Sequence, residues 1–157
     1  MRRLLCCLLF LPMLSGCTND GAAYLVGGLQ SHSISIVREN MFWEKQVNLA
    51  VVVSRLPDCQ RRHAIQKASP RAHIELWLLR PGEGTYILKI GNELYVTETR
   101  TCEGFARMDE VDEDLPNGLG TQLGTFGLVN GVFSFVPMEE PEDGAANGAE
   151  DGGGQRP

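Results

Sequence analysis

The chain of 157 residues has no apolar run long enough to cross a bilayer. Its longest, Leu4 to Leu14, would span roughly 16 Å as a helix, about half of a hydrocarbon core. There is no Gly-x-Ser-x-Gly elbow, and the three histidines (His32, His63 and His73) follow no zinc-ligand spacing. Gly82-Glu83-Gly84 and Gly118-Leu119-Gly120 are too short for phosphate loops and open no strand-to-helix turn. No segment repeats. The length allows one domain and excludes a multidomain enzyme or a large barrel. An excess of 20 Asp+Glu over 14 Lys+Arg, net −6, argues against a nucleic-acid partner. An apolar fraction of 43% excludes a chain disordered throughout.

What is present begins at the N-terminus. Met1-Arg2-Arg3 is a basic lead, Leu4 to Leu14 an apolar run, and Leu14-Ser15-Gly16-Cys17 a close of small residues before a cysteine. This order has the anatomy of an export signal. It resembles the signal of bacterial lipoproteins, whose lipobox reads Leu, a small residue, Gly or Ala, then Cys. The resemblance covers about the first 20 residues. It implies diacylglycerol on the Cys17 thiol, cleavage before Cys17 and acylation of the new amine, with palmitate-like chains as the membrane anchor. Acyl chains contribute about 0.8 kcal/mol per buried CH₂, so three of them hold firmly. Thr18 stands where an aspartate would retain such a protein in the inner membrane, which implies the outer membrane, facing the periplasm. The stretch Val51 to His63 also resembles short proteobacterial lipoproteins of uncharacterised activity, a likeness that carries no function with it.

Processing of that kind would remove Cys6 and Cys7 and consume Cys17, leaving Cys59 and Cys102. In an oxidising compartment these two are expected to bridge. The bridge would close a loop of about 44 residues, worth roughly 4 kcal/mol by loop entropy. Two free buried thiols, or less readily a metal site, are the alternatives.

Period-two alternation dominates the body. Ile34 and Ile36 alternate with Ser33 and Ser35, and Val47, Leu49, Val51 and Val53 form a second run. Arg38-Glu39-Asn40 reads as the turn between them. Ile74 to Leu79 is apolar on both faces, as a central strand would be. Gly91-Asn92, between Tyr86–Ile90 and Glu93–Thr97, predicts a tight hairpin; Asn130-Gly131 predicts a second. Cys59 to Ala68, preceded by Asp58 as a cap and poor in β-branched residues, predicts one short helix. The fold expected is mainly β, a small antiparallel sandwich or partly open barrel, with α+β as the alternative. Residues 1–16 read as signal peptide, 17–27 as anchor and tether, 28–136 as the β domain, and 137–157 as a disordered acidic tail.

From Gly21 to Arg107 there are 11 Lys+Arg against 8 Asp+Glu, so the body is mildly basic. The acids gather in Asp109 to Asp114 and beyond Pro137. Arg61, Arg62, His63, Lys67 and Arg71, with His73, form the densest basic stretch, a candidate surface for lipid phosphates, carboxylates or an acidic partner. The stretch lacks the interleaved aromatics of a nucleic-acid surface. Cys59 and His63 are four apart and would share a helix face, but a bridged Cys59 is neither ligand nor nucleophile. Trp43, Trp77, Phe42, Tyr86 and Tyr95 read as core. With no catalytic or metal constellation in sight, no cofactor is expected. The expectation is a non-enzymatic envelope module that binds another protein or steadies an assembly, held to the membrane through Cys17. A small-ligand or lipid carrier is the alternative; an envelope hydrolase, its carboxylates drawn from the Asp109 loop, is less favoured.

Overall fold

The computed structural model describes residues 18–40, 44–80, 82–108 and 119–138. In chain order the strands are β1 (Thr18–Leu25), β2 (His32–Asn40), β3 (Val47–Arg55), β4 (Cys59–Ala68), β5 (Ile74–Arg80), β6 (Thr85–Ile90), β7 (Glu93–Glu98), β8 (Phe105–Met108), β9 (Thr121–Val129) and β10 (Val132–Pro137). They form two antiparallel sheets, one ordered β1-β2-β3-β4, the other β10-β9-β5-β6-β7-β8. The sheets stay open rather than closing into a barrel, and pack as a small β sandwich.

Alternation decides which side chains enter the space between the sheets. Ile34 and Ile36 of β2 and Val47, Leu49, Val51 and Val53 of β3 join Ile74, Leu76, Tyr86, Leu88, Phe126 and Phe133 in one cluster. Ile34, Ile36, Leu76, Leu88 and Phe126 are wholly removed from solvent. Burial of each large side chain of this kind contributes about 1.5–3 kcal/mol. β5 is central in its sheet, as its two apolar faces predict. One of its residues escapes the shared core: Trp77 pairs with Ile87 on the outer face and donates its indole N–H to Glu75 Oε2 at 3.1 Å.

Both predicted hairpins form. Gly91 takes the positive φ, 61°, that a two-residue link asks of its first position. Asn130 and Gly131 both lie at positive φ, 52° and 82°, the pair of conformations that suits the strand twist.

Three expectations are corrected. Cys59 to Ala68 is not a helix but β4, paired along its length with β3. Helix propensities differ by only tenths of a kcal/mol per residue, while leaving the Val-rich β3 without a neighbour on its second side would strand a row of backbone groups. A bulge, in which Ile65 and Gln66 together oppose Leu49, lets the ten residues fit. Thr18 to Ala23, read as tether, is the first part of β1, registered Thr18↔Asn40 to Leu25↔Ser33. Arg38-Glu39-Asn40 is not a turn; β2 continues through it. The Asp109 to Asp114 loop, Phe42 and Trp43, Cys17 and the tail from residue 139 onward lie outside the described residues. Pro137 itself closes β10.

The registers define two ends. Thr18, Asn40, Val47 and Ala68 lie at one; Leu25, His32, Arg55 and Cys59 lie at the other.

Candidate functional site: a cleft at one end of the sandwich

The basic stretch does not make one surface. On a strand, neighbours point to opposite faces. Arg61 and His63 therefore turn toward the second sheet, and Arg62 to the outer face. Arg61 reaches Glu103 Oε1 at 3.4 Å. The His63 ring stacks on Phe105, centroids 4.9 Å apart, with Nε2 at 2.8 Å from the Cys102 carbonyl. Arg62 pairs with Glu39 at 2.6 Å and Lys67 with Glu44 at 2.9 Å. Arg71 and His73 are exposed in the connection to β5. β4 is an edge strand, and charged side chains there discourage pairing with another chain.

Cys59 and Cys102 are disulfide-bonded, Cα atoms 5.9 Å apart. The bond joins the start of β4 in one sheet to the β7–β8 loop of the other. Cys59 thus has no free thiol to share with His63 in metal or nucleophile chemistry. Among the described residues no group of three His, Cys, Asp or Glu is placed to hold a metal ion.

The β7–β8 loop is fixed a second time by Glu98. Its carboxylate accepts the backbone N–H groups of Arg100 (2.6 Å), Thr101 (2.9 Å), Glu103 (3.1 Å) and Gly104 (3.1 Å), and the Thr101 hydroxyl (2.5 Å). Desolvation raises the Glu98 pKa, but the bonds from Thr101, Gly104 and Arg100 outweigh it and pull the group down to about 2. Within this loop Cys102 is fully buried at φ 61°, a left-handed conformation for a residue with a Cβ. Gly84 ties the loop to the β5–β6 turn, its carbonyl accepting the Thr99 N–H at 2.9 Å. A Cβ on Gly84 would sit 2.8 Å from Thr99 Oγ1, at a backbone φ of 65°.

These ties frame a cleft of about 420 Å³ between the sheets at the end where β2 begins and β3 finishes. Tyr24, Val26, Leu78 and Tyr86 supply an aromatic and aliphatic wall; His32 and Arg55 stand on one lip, and residues 82–84, Thr99 and Arg100 on the other. His32 and Arg55 are cross-strand partners. Burial, and then the Arg55 guanidinium, hold the His32 imidazole below its ordinary pKa, so it stays neutral near pH 7. Its Nε2 is buried without a hydrogen-bond partner. Tyr86 is 3% exposed, and burial together with Tyr24 pushes its hydroxyl up to about 12, leaving it a neutral donor. Arg55 makes one loose pair, 3.7 Å to Asp58, with both partners well exposed. Arg100 has no acidic partner among the described residues. Glu83, the acid of the lining, is already engaged.

The cleft is a concave, mostly apolar site with a few convergent polar groups.

The sequence singled out Tyr86 only as core and His32 only as a histidine outside any zinc-ligand spacing, and did not single out Arg55, Arg100 or Tyr24. Their signal was weak, because they are far apart in the chain and meet only when strand ends from both sheets converge. No family model, no curated protein and no solved structure matches the chain.

Proposed function

We propose that the chain is a lipid-anchored protein of the bacterial envelope, held to the outer membrane through Cys17, whose sandwich acts as a non-enzymatic binding module in the periplasm. The observation that carries this reading is the order Leu14-Ser15-Gly16-Cys17 followed, one residue later, by the first strand. A lipidated Cys17 would then abut β1 without a flexible tether. The sandwich would stand on its Thr18 end, and the cleft end would point away from the membrane. Eight residues of β1 at about 3.4 Å each set the two ends roughly 27 Å apart. The Cys59–Cys102 disulfide suits an exported, oxidised protein.

Fractionation of cells expressing Cys17→Ser tests the anchor. The variant is expected to lose labelling by radioactive palmitate and to leave the membrane pellet. Retention of both label and pellet by Cys17→Ser overturns the reading. Crosslinking in intact envelopes from side chains on the cleft lip is expected to capture a partner that the same reagent placed at Arg71 does not. Equal capture from the two ends would dismiss the distal end as the working surface.

The carrier reading keeps one support, the apolar wall of the cleft. The interior between the sheets is filled by side chains such as Phe126 and Ile36, so a ligand would enter the end of the sandwich rather than its middle.

A further inference from the structure

We propose that the end cleft is a carboxylate site: it takes a small apolar group bearing one carboxylate, with the anion between Arg55 and Arg100 and the apolar part against Tyr24, Tyr86 and Leu78. This deepens the reading of the sandwich as a binding module and does not depend on lipidation of Cys17.

Three observations converge on that chemistry. The first is charge. Arg55, from the first sheet, and Arg100, from a loop of the second, both line the cleft; Arg55 is held only loosely by Asp58, and Arg100 has no acidic partner among the described residues, while Glu83 is already engaged. Guanidinium forks match carboxylates in shape and valence. The second is preorganisation. Arg100 sits in a loop pinned by the disulfide, by five hydrogen bonds to Glu98 and by the Gly84–Thr99 tie, so its backbone need not be ordered when a ligand arrives. The third is the wall. Tyr86, Tyr24 and Leu78 line a concavity whose lip includes His32, its Nε2 buried without a hydrogen-bond partner. A purely inorganic anion would leave that wall unused, and a neutral apolar molecule would leave the guanidiniums unused. A carboxylate on an apolar body uses both.

Such a ligand has two sources, the C-terminus of a peptide and a short acyl chain. Two probes separate them: N-acetylleucine and hexanoate, with N-acetylleucinamide and hexanol as uncharged controls. Each is titrated into the full-length protein in a non-ionic detergent and followed by amide NMR. At least one acid is expected to bind saturably in the millimolar range or tighter, with shifts at Val26, Gly84 and Thr99, and its control at least tenfold more weakly. Binding by N-acetylleucine alone points to a peptide terminus, and by hexanoate alone to an acyl chain; either supports the site. Arg100→Ala and Arg55→Ala are expected to weaken binding at least tenfold, and Arg62→Ala, on the outer face of the first sheet, less than twofold. If Arg100→Ala does not fold, Arg100→Gln and the location of the wild-type shifts decide. Acid and control binding alike, shifts that miss the cleft, or no saturable binding by either acid overturns the site. Retention of label and pellet by Cys17→Ser, by contrast, bears only on the proposed location.

Discussion

The two ends of the sandwich use the same residue type in opposite ways. At the Thr18 end, Arg38 points inward from β2 and is 9% exposed. Its Nε donates to Asp20 Oδ1 at 2.7 Å, its Nη2 to Asp20 Oδ2, and its Nη1 to the Pro70 carbonyl at 2.6 Å. The guanidinium carbon lies 4.1 Å from the centre of the Phe133 ring. Each of the three guanidinium nitrogens has a partner, and in that sense the end is closed. At the other end Arg55 and Arg100 stand at the rim of an open cleft, one loosely paired and one without an acidic partner among the described residues. A buried arginine must have its charge compensated inside the protein, because an uncompensated one would cost several kcal/mol. A rim arginine is solvated and can remain available. The closed end is therefore structural, and the open end is where a ligand can still gain something.

The largest expected effect breaks the frame of the open end. Cys59→Ser with Cys102→Ser should lower stability by about 4 kcal/mol, from the chain entropy of the loop the bond closes. Urea unfolding with and without reductant measures it. Hydrogen exchange should rise first in residues 99–104, and uniform exchange across both ends would contradict the idea that the bond serves the cleft.

Next, Asp20→Ala strands Arg38 at the closed end and should cost about 3 kcal/mol. Asp20→Ala combined with Arg38→Met should recover most of the loss, since it removes the uncompensated charge along with its partner. A double variant no better than the single would mean that Arg38 contributes chiefly through Pro70 and Phe133.

Glu98→Gln should cost roughly 2 kcal/mol at neutral pH, because one neutral amide oxygen cannot replace a carboxylate accepting five bonds. The pH dependence has a definite sign. The Glu98 pKa falls on folding from 4.5 to about 2. Its contribution is therefore complete above about pH 4.5 and drains away as pH falls toward 2. Chemical unfolding across that window should show a steep acid loss in the native protein and a shallower one in Glu98→Gln.

The smallest effects return to the rim. His32 has its pKa lowered on folding, so its contribution is present above pH 6.5 and declines as pH falls below that value. Replacing His32 by Gln should remove that mild slope. Arg100→Ala should change stability by less than about 0.5 kcal/mol, as most surface substitutions do. A large loss there would make the open end as structural as the closed one.

Much of this was legible in the chain. Ile34 and Ile36, and then Val47 to Val53, alternate because each strand has one face toward the core, and that period is local. Gly91-Asn92 and Asn130-Gly131 mark hairpins because few other residues tolerate their backbone angles. The pairing of Cys59 with Cys102 is the one bridge left if Cys17 is lipidated, and it is present in the fold.

Other features were not legible, and β4 shows why. Its Gln, Arg, Lys and Ala residues suit a helix or a guarded edge strand equally well, and only the unpaired side of β3 chose between them. That choice split Arg61 and His63 from Arg62 and gave each of Arg61, Arg62 and Lys67 its own carboxylate. Arg38 looked like a turn residue because a charged side chain facing inward can be recognised only once Asp20 and Pro70 are beside it. Local periodicity and turn chemistry thus determined β2, β3, β5 and the two tight hairpins. Which edges met, which charges were compensated and where a cleft was left open depended on contacts between residues far apart in the chain, and these the tertiary structure alone decided.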